Sequence, residues 1–402
     1  MPTTPNPPPL KPIGPKGTTD NESAMLFSLP VMMYHSISRH RHRLCVAPEL
    51  FEEHCRVLAE NGWRGVSLAE AEDFFLRREK LPPKSCLFTF DDGYLDNYVY
   101  AEPLLRRYGH QGVMFAVANC IETGTDLRPT MEDAHKPEVA RELASLDQRP
   151  LILRRNKSVS LIKFCNWAEI RRMRERGAMA VAAHSLGHDR VVKELRFTRL
   201  ATRNIRDGYF GVPPYEQPYG FPMFNLDHAL THRAYAPVPE LFDLVTAMVP
   251  QDKDESSLFL ADEKNRRAVM EAIRALPALA VQESREEYLA RIAKDFAECR
   301  NTFIRELGVA PQSFCWPWGD YNRAALRAGE EAGFQIFFTT GRGMNLYGRR
   351  KAVHRFSVRG GSGLELLEKA RKVSLASREF FYSLDTMFSR LSKDHVLRRM
   401  FG

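Results

Sequence analysis

The stretch that decides the fold is Ser85-Cys86-Leu87-Phe88-Thr89-Phe90-Asp91-Asp92-Gly93. Its apolar first part predicts a buried strand over 85–90, and the glycine permits a sharp exit from that strand. Adjacent residues at a strand end point in different directions, so Asp91 and Asp92 can serve separate tasks, one binding a metal and the other accepting a proton. Asp-Gly is also a common turn signal, so a turn without chemistry is the alternative.

Short apolar runs alternate with amphipathic stretches on both sides of this segment. The pattern predicts strands at 29–34, 112–118, 178–183, 313–316 and 335–339, and helices at 48–61, 98–108, 167–176 and 286–307. Such alternation is typical of parallel βα units. Between 190 and 284 the alternation is lost among prolines and aromatics, which predicts a long insertion that is either functional or a subdomain. A smaller insertion is predicted at about 122–160.

A second candidate segment is His184-Ser185-Leu186-Gly187-His188, directly after the strand predicted at 178–183. Two histidines at i and i+4 can reach one metal ion from a single turn, and imidazole suits zinc and other first-row divalent metals. Active sites of α/β proteins collect at the carboxyl ends of strands, where this segment lies. With one carboxylate, the two histidines would leave a coordination position open for water. A chance HxxxH is the alternative.

A third candidate segment is Ser313-Phe314-Cys315-Trp316-Pro317-Trp318-Gly319-Asp320-Tyr321-Asn322, again at a strand end. It holds two of the four tryptophans of the chain. Aromatic rings at such a loop suit the apolar face of a sugar ring. An aromatic corner that packs in the core is the alternative.

Together the three segments resemble the motifs of the polysaccharide deacetylases, the NodB-homology domain of carbohydrate esterase family 4. The resemblance lies in TFDDG at 89–93, HSLGH at 184–188 and CWPWG at 315–319, with MYHS at 33–36, DNY at 96–98 and NWAE at 166–169 beside them. It covers about 29–121, 161–190 and 284–360. It implies a distorted, TIM-like (β/α) barrel that hydrolyses the N-acetyl group of an amino sugar.

The resemblance also implies roles for individual residues. Asp91 would be the general base, and Asp92, His184 and His188 would hold a divalent metal, with zinc first and cobalt, nickel or iron as alternatives. Backbone N–H groups near the third motif would stabilise the oxyanion. The residues expected to contact substrate are Trp316, Trp318, Tyr98 and His35.

Two departures from the family pattern affect the expected chemistry. Many members have an arginine where Cys315 stands, and that arginine orients and tunes the base. Members also supply a late histidine as general acid, for which His354 is the candidate by position. Its segment, however, matches a branch in which Arg355 is the characteristic residue, and packing is the alternative role for His354. His35 could face the same mouth or make a structural hydrogen bond.

Composition and the chain termini give weaker expectations. The chain has 402 residues with 58 Lys+Arg against 50 Asp+Glu, a net charge of +8 that is only a mild bias. Seven cysteines without a CxxC predict reduced thiols, and the absence of an apolar signal region predicts a cytoplasmic protein. We expect a disordered proline-rich arm at 1–25, the barrel at 26–368 and a basic amphipathic helix at 369–402. That helix could contact an anionic membrane or pack on the barrel.

The sequence therefore predicts a metal-dependent N-deacetylase that acts on an N-acetylated glycan, or on a lipid- or nucleotide-linked glycan precursor, in a surface-glycan pathway. One alternative is a non-catalytic glycan-binding protein on a degraded deacetylase fold. Another is a hydrolase of a different carbon-nitrogen amide bond. No nucleic-acid partner is expected, since no motif accompanies the modest charge.

Overall fold

The structure is a computed structural model that describes residues 26–148, 164–202 and 217–376. The chain divides into one unit of residues 28–374 and another that joins residues 1–27 with 375–402. The predicted arm at 1–25 and the part of the predicted tail at 377–402 lie outside the described residues.

The strands and helices occur along the chain in the following order. The strands are β1 (Leu26–Phe27), β2 (Val31–Tyr34), β3 (Ser36–Ile37), β4 (Cys45–Val46), β5 (Arg64–Gly65), β6 (Ser85–Asp92), β7 (Gly112–Ala116), β8 (Met179–Ala183), β9 (Arg190–Glu194), β10 (Asn225–His228), β11 (Tyr235–Pro237), β12 (Ala280–Gln282), β13 (Ser313–Cys315), β14 (Ile336–Phe338), β15 (Phe356–Ser357) and β16 (Leu375–Ala376). The helices are α1 (Pro48–Glu60), α2 (Leu68–Arg77), α3 (Glu102–Arg107), α4 (Pro137–Gln148), α5 (Trp167–Arg176), α6 (Pro239–Met248), α7 (Lys253–Ala261), α8 (Glu263–Arg274), α9 (Arg285–Leu307), α10 (Arg323–Glu331) and α11 (Gly363–Ser374).

The main sheet of the 28–374 unit is parallel and has eight strands. Its order is β14-β13-β8-β7-β6-β2-β15, and β5 also pairs with β6. All eight residues of β6 are buried, which explains why its sequence is a continuous apolar run rather than an alternating one. At one edge Phe338 bridges to Val353, and at the other Phe356 pairs with Met32. The segment 353–357 therefore connects both edges of a curled sheet, and the predicted distorted (β/α) barrel is confirmed.

The barrel helices begin and end at ordinary capping signals. Helix α5 begins at a capping box in which Asn166 and Glu169 satisfy each other's backbone N–H groups, and it ends at Gly177, which has a φ of 79°. This helix leads directly into β8, the strand that precedes the second motif. The predicted helix at 98–108 is instead a π-helix over Asn97–Ala101 followed by α3.

The predicted insertion at 190–284 contains a second sheet with its own core. Strands β10, β9, β11 and β12 form this sheet in that order, and every pairing in it is antiparallel. Helices α6, α7 and α8 belong to the same stretch. The buried side chains of the stretch include Phe221, Leu241, Val245 and Ile273, which form a cluster separate from that of the barrel. The described part of the insertion is therefore a subdomain rather than a long loop.

The C-terminal boundary predicted at residue 369 falls inside helix α11. The helix buries Leu366, Leu367 and Ala370 in the barrel core, so its last residues before 375 pack rather than start a separate element. In the other unit, β1 and β16 pair antiparallel. Among the described ranges, every helix is too short or too polar to cross a lipid bilayer.

Candidate active site

The carboxyl end of β6 presents two carboxylates in different directions. Asp91 and Asp92 end the strand and are 2% and 5% exposed. Asp92 has a φ of 80°, which is uncommon for a residue with a side chain. Gly93 follows with a φ of 90°, and a Cβ at that position would lie 2.9 Å from Ile121 Cδ1. The sharp exit predicted from this glycine is confirmed, because both the backbone conformation and the available space favour glycine.

The two histidines of the second motif are brought together by a tight turn after β8. Ser185 and His188 both have positive φ values, of 68° and 51°. The backbone N–H of His188 donates a hydrogen bond to Ser185 Oγ at 2.8 Å, which closes the turn. The centroids of the His184 and His188 rings are consequently only 4.9 Å apart.

Asp92, His184 and His188 converge as a set of ligand atoms. Asp92 Oδ1 lies 3.4 Å from His184 Nε2 and 3.8 Å from His188 Nε2, and the ligand atoms all lie within 4.8 Å of one another. His184 Nδ1 lies 2.8 Å from the carbonyl oxygen of Cys315. A carbonyl can only accept a hydrogen bond, so Nδ1 carries a proton, and Nε2 is the nitrogen that faces Asp92. Burial and the neighbouring His184 lower the pKa of His188 to about 3. Burial would also lower the pKa of His184, but Cys315 and the hydrogen bond with Asp92 outweigh it and raise that pKa well above its ordinary value. This donor set fits a divalent metal.

Asp91 is held by Arg355, which lies immediately before β15. The guanidinium donates two hydrogen bonds to the carboxylate, Nη1 to Oδ1 at 2.6 Å and Nη2 to Oδ2 at 2.8 Å. Both side chains are almost fully buried. Burial alone would raise the pKa of Asp91, but the charge of Arg355 and the nearby His184 outweigh it and hold that pKa below its ordinary value. Asp91 is therefore ionised and fixed in orientation. Its carboxylate is separate from the set formed by Asp92, His184 and His188.

Arg355 is itself fixed by two further hydrogen bonds. Its Nε donates to the carbonyl oxygen of Thr339 at 2.9 Å, and Nη1 donates to Thr89 Oγ1 at 3.2 Å. The Thr89 hydroxyl in turn donates to the carbonyl oxygen of Met32 at 2.7 Å. Residues of β2, of β6 and of the loop after β14 thus fix the orientation of the guanidinium together.

Cys315 occupies the place where many family members have an arginine. Its thiol is fully buried, and Sγ lies 3.8 Å from Asp91 Oδ1. Burial raises the pKa of this thiol, so the neutral thiol is only a weak donor to the carboxylate. Asp91, His184 and Cys315 form a second possible ligand set, but Arg355 already occupies both oxygens of Asp91. The arginine that position 315 lacks is therefore supplied from the other edge of the sheet.

The two remaining histidine candidates lie on different sides of this centre. His35 Nε2 is 3.9 Å from Asp91 Oδ2, and its side chain is 17% exposed; its contact with substrate stays a prediction. The ring of His354 packs instead against Gly341 and Gly343, and a Cβ on Gly343 would lie 2.5 Å from His354 Cδ2. Because Arg355 points to Asp91, its neighbour His354 points away. The geometry favours the packing alternative for His354, whose role as general acid stays a prediction.

The two tryptophans of the third motif have different environments. Trp316 is 0% exposed and packs edge-on to Phe296 and in a stack on Phe337, with ring centroids 5.8 and 5.3 Å away. Tyr98 is likewise only 3% exposed and lies in the barrel core. Neither residue has the surface that a sugar would need, so the packing alternative replaces the substrate-binding role predicted for both.

Trp318 contacts His188 of the candidate ligand set. Its φ is 55°, a left-handed value that is an outlier for so bulky a residue. The ring centroid is 4.0 Å from that of His188, and the ring is only partly buried. Its position agrees with the predicted wall of the pocket.

Sequence reasoning missed three residues near the site. Arg355 was named only as a branch residue, although it is the direct partner of Asp91. His228 and Arg190 come from the insertion and both contact Trp318. Strand pairing across the insertion brings them there, and no spacing in the sequence indicates it.

Comparisons with known proteins agree with this geometry. The family model for polysaccharide deacetylase matches residues 78–207, which include the TFDDG and HSLGH segments. YxkH of Bacillus subtilis, named as a polysaccharide deacetylase, is 42% identical over 94 residues, or 23% of this chain and 33% of YxkH. The poly-beta-1,6-N-acetyl-D-glucosamine N-deacetylase of Escherichia coli is 20% identical over 287 residues, or 71% of this chain and 30% of that protein. The chain thus spans about a third of the length of these curated relatives.

One solved structure supports the fold. A de-N-acetylase from Aggregatibacter actinomycetemcomitans superimposes with a TM-score of 0.53 at 18% identity, covering 85% of this chain and 99% of that one. The motifs and the site geometry agree with the match of residues 78–207 to the family model for polysaccharide deacetylase.

Proposed function

We propose that this protein is a metal-dependent N-deacetylase that removes the acetyl group from an N-acetylated amino sugar of a polysaccharide or surface-glycan precursor. The observation that carries the proposal is the separation of the two adjacent aspartates. Asp92 faces two histidine nitrogens, whereas Asp91 is clamped by Arg355. One fold therefore offers a metal-binding carboxylate and a base side by side.

The residues present would hold the metal with two imidazoles and one carboxylate. A divalent cation, with zinc first and cobalt, nickel or iron as alternatives, would supply Lewis-acid polarisation of the acetamide carbonyl and acidify the attacking water. His184 is kept in the tautomer that a ligand requires by the carbonyl oxygen of Cys315.

Asp91 would take the proton of the attacking water. The bidentate contact with Arg355 keeps its carboxylate ionised and fixes the direction of its lone pairs. The same contact lowers the proton affinity of Asp91, so the carboxylate is better oriented but is a weaker base. His35, at 3.9 Å from Asp91, would contact the reacting groups at the mouth.

The test uses purified full-length chain with added zinc or cobalt and N-acetylated oligosaccharides, including a β-1,6-linked N-acetylglucosamine oligomer as probe. We expect release of acetate, and Asp91→Asn should lower the rate by about 10²- to 10⁴-fold, since loss of a positioned base typically costs that much. Cobalt binding should persist in the variant, because Asp91 is not in the ligand set. Exposed Asp243→Asn is the matched control and should leave the rate unchanged.

Product analysis separates this proposal from the two alternatives. A glycan-binding protein on a degraded fold would bind the oligomer and release no acetate. A hydrolase of another amide would release an amine or acid other than acetate. Arg355 weakens the case for a degraded site, because that case has two grounds, the arginine missing at position 315 and the long insertion, and Arg355 removes the first.

A further inference from the structure

Two described residues of the insertion contact the ring of Trp318 at the candidate active site. His228, the last residue of β10, stacks on Trp318 with ring centroids 4.4 Å apart and planes only 7° from parallel. The guanidinium carbon of Arg190, the first residue of β9, lies 5.5 Å from the centroid of the same ring. A cation and an aromatic ring at these distances both attract an indole.

Arg190 and His228 are direct partners in the insertion sheet. They lie opposite each other where β9 and β10 pair antiparallel, so one rung of the sheet presents both side chains to Trp318. Arg190 also follows the second histidine motif by only two residues. The backbone N–H of Ala229 donates to the carbonyl oxygen of Asp189 at 3.0 Å, which ties the end of β10 to the residue after His188.

The His228 ring also faces two carboxylates, with Nδ1 3.4 Å from Asp320 Oδ2 and Nε2 3.6 Å from Asp227 Oδ1. His228 is 9% exposed, and its Nδ1 makes no hydrogen bond among the described residues; neither does the buried Nε of Arg190. Burial lowers the pKa of His228 even with Asp227 nearby, so a neutral imidazole faces the indole. A small cavity with room for roughly one water-sized group lies beside His228, Trp318 and Ser185.

Trp318 needs such support because its own backbone is strained. A φ of 55° persists for a bulky residue only where the surroundings enforce it. The ring then meets the His188 ring at 4.0 Å between centroids and 55° between planes. The orientation of the second histidine ligand therefore depends on where Trp318 is held.

We propose that Arg190 and His228 are positioning residues through which the insertion presses Trp318 against His188 and so preorganises the metal site. This inference rests on the proposed metal-dependent function. It gives the insertion a role at the site, although the proposed ligands Asp92, His184 and His188 all lie outside the insertion. Residues around the ligands of a metal commonly set its affinity in this way, by about 10- to 100-fold.

The test measures cobalt affinity of the full-length protein by titration and by the visible absorption of the bound ion. We expect His228→Ala to weaken cobalt binding by about 10-fold and to alter the spectrum, because His188 loses its fixed orientation. His228→Phe keeps a stacking ring and should restore both. His232→Ala is the matched control, since both histidines lie close to Asp227 and the stacked contact with Trp318 is that of His228.

The double variant shows whether the effect passes through Trp318. In a Trp318→Ala background, His228→Ala should cause no further loss of cobalt affinity. The inference is overturned if His228→Ala binds cobalt with wild-type affinity, or if His228→Phe fails to restore binding. It is also overturned if the losses in the double variant are additive, or if the wild-type chain binds no cobalt. If His228→Ala does not fold, His228→Phe and Trp318→Ala carry the test. The readout does not use deacetylation, so cobalt binding without acetate release would refute the proposed function alone.

Discussion

The parallel barrel sheet and the antiparallel sheet of the insertion meet at Trp318, but they contribute different kinds of residue. The barrel supplies Asp91 and Asp92 from the end of β6 and His184 from the end of β8, all nearly fully buried. The insertion supplies residues that touch Trp318 and none that touches the carboxylates among the described contacts. The barrel therefore carries the proposed reacting groups, and the insertion contacts the aromatic ring that packs against His188.

The largest effect should come from breaking the ion pair inside the barrel. Arg355→Gln would leave Asp91 buried without its charge partner, and such a loss costs about 3–5 kcal/mol of stability. The pKa of Asp91 is held below its ordinary value by Arg355, so without the arginine burial would raise it. The measurement is kcat/KM against pH. We expect the acidic limb of this profile to move to higher pH, with a large loss of activity at pH values below that limb.

The control for this prediction keeps the charge and changes the geometry. Arg355→Lys retains a cation but cannot make two parallel hydrogen bonds, so the acidic limb should move less than in Arg355→Gln while the rate still falls. An unshifted profile in Arg355→Gln would mean that Asp91 is not the group that titrates.

A more local effect should follow from weakening the insertion core. Phe221 is fully buried between Phe224 and Phe242, and Phe221→Ala should cost about 3–5 kcal/mol of local stability. Because the insertion core is separate from the barrel core, hydrogen exchange should rise mainly in β9, β10 and α6. The matched change in the barrel is Phe303→Ala on α9. Equal exchange in both sheets after Phe221→Ala would show that the two cores unfold as one unit.

The sequence predicted the barrel well because its strands are buried on both faces. Strands such as β6 are continuous apolar runs, and each ends in a residue pattern that bears chemistry, so fold and ligand set could be predicted together. Both signals are local. The same local reasoning failed for Trp316, since an aromatic residue at a strand end is equally compatible with a pocket wall and with core packing.

The residues that the sequence did not indicate are those placed by long-range pairing. Arg355 reaches Asp91 because the segment 353–357 connects the two edges of the sheet, 264 positions away along the chain. His228 reaches Trp318 because β10 pairs with β9 across most of the insertion. Such contacts depend on strand order and register, which hydrophobic periodicity does not specify.

The smallest effect expected concerns two partly buried carboxylates, Asp295 in the barrel and Asp227 in the insertion. Asp295 lies on α9 and accepts a hydrogen bond from the backbone N–H of Leu186 at 3.2 Å. Burial, with Asp189 nearby, raises its pKa to about 7. For Asp227, burial would raise the pKa, but the hydrogen bond from Lys193 outweighs it and the pKa is lowered.

The two residues should therefore change stability with pH in opposite senses. An aspartate in the unfolded chain titrates near pH 3.9, so the stability linked to Asp295 is present at low pH and is lost as pH rises toward about 7. Asp295→Asn should raise Tm at pH 8 by roughly a few degrees, because the amide can still accept the hydrogen bond from Leu186. The stability linked to Asp227 is present above about pH 4 and is lost in acid, so Asp227→Asn should lower Tm at pH 8. Thermal unfolding of both variants at pH 4 and pH 8 measures these changes in Tm. Changes of the same sign at pH 8 would contradict the opposite pKa shifts of the two carboxylates.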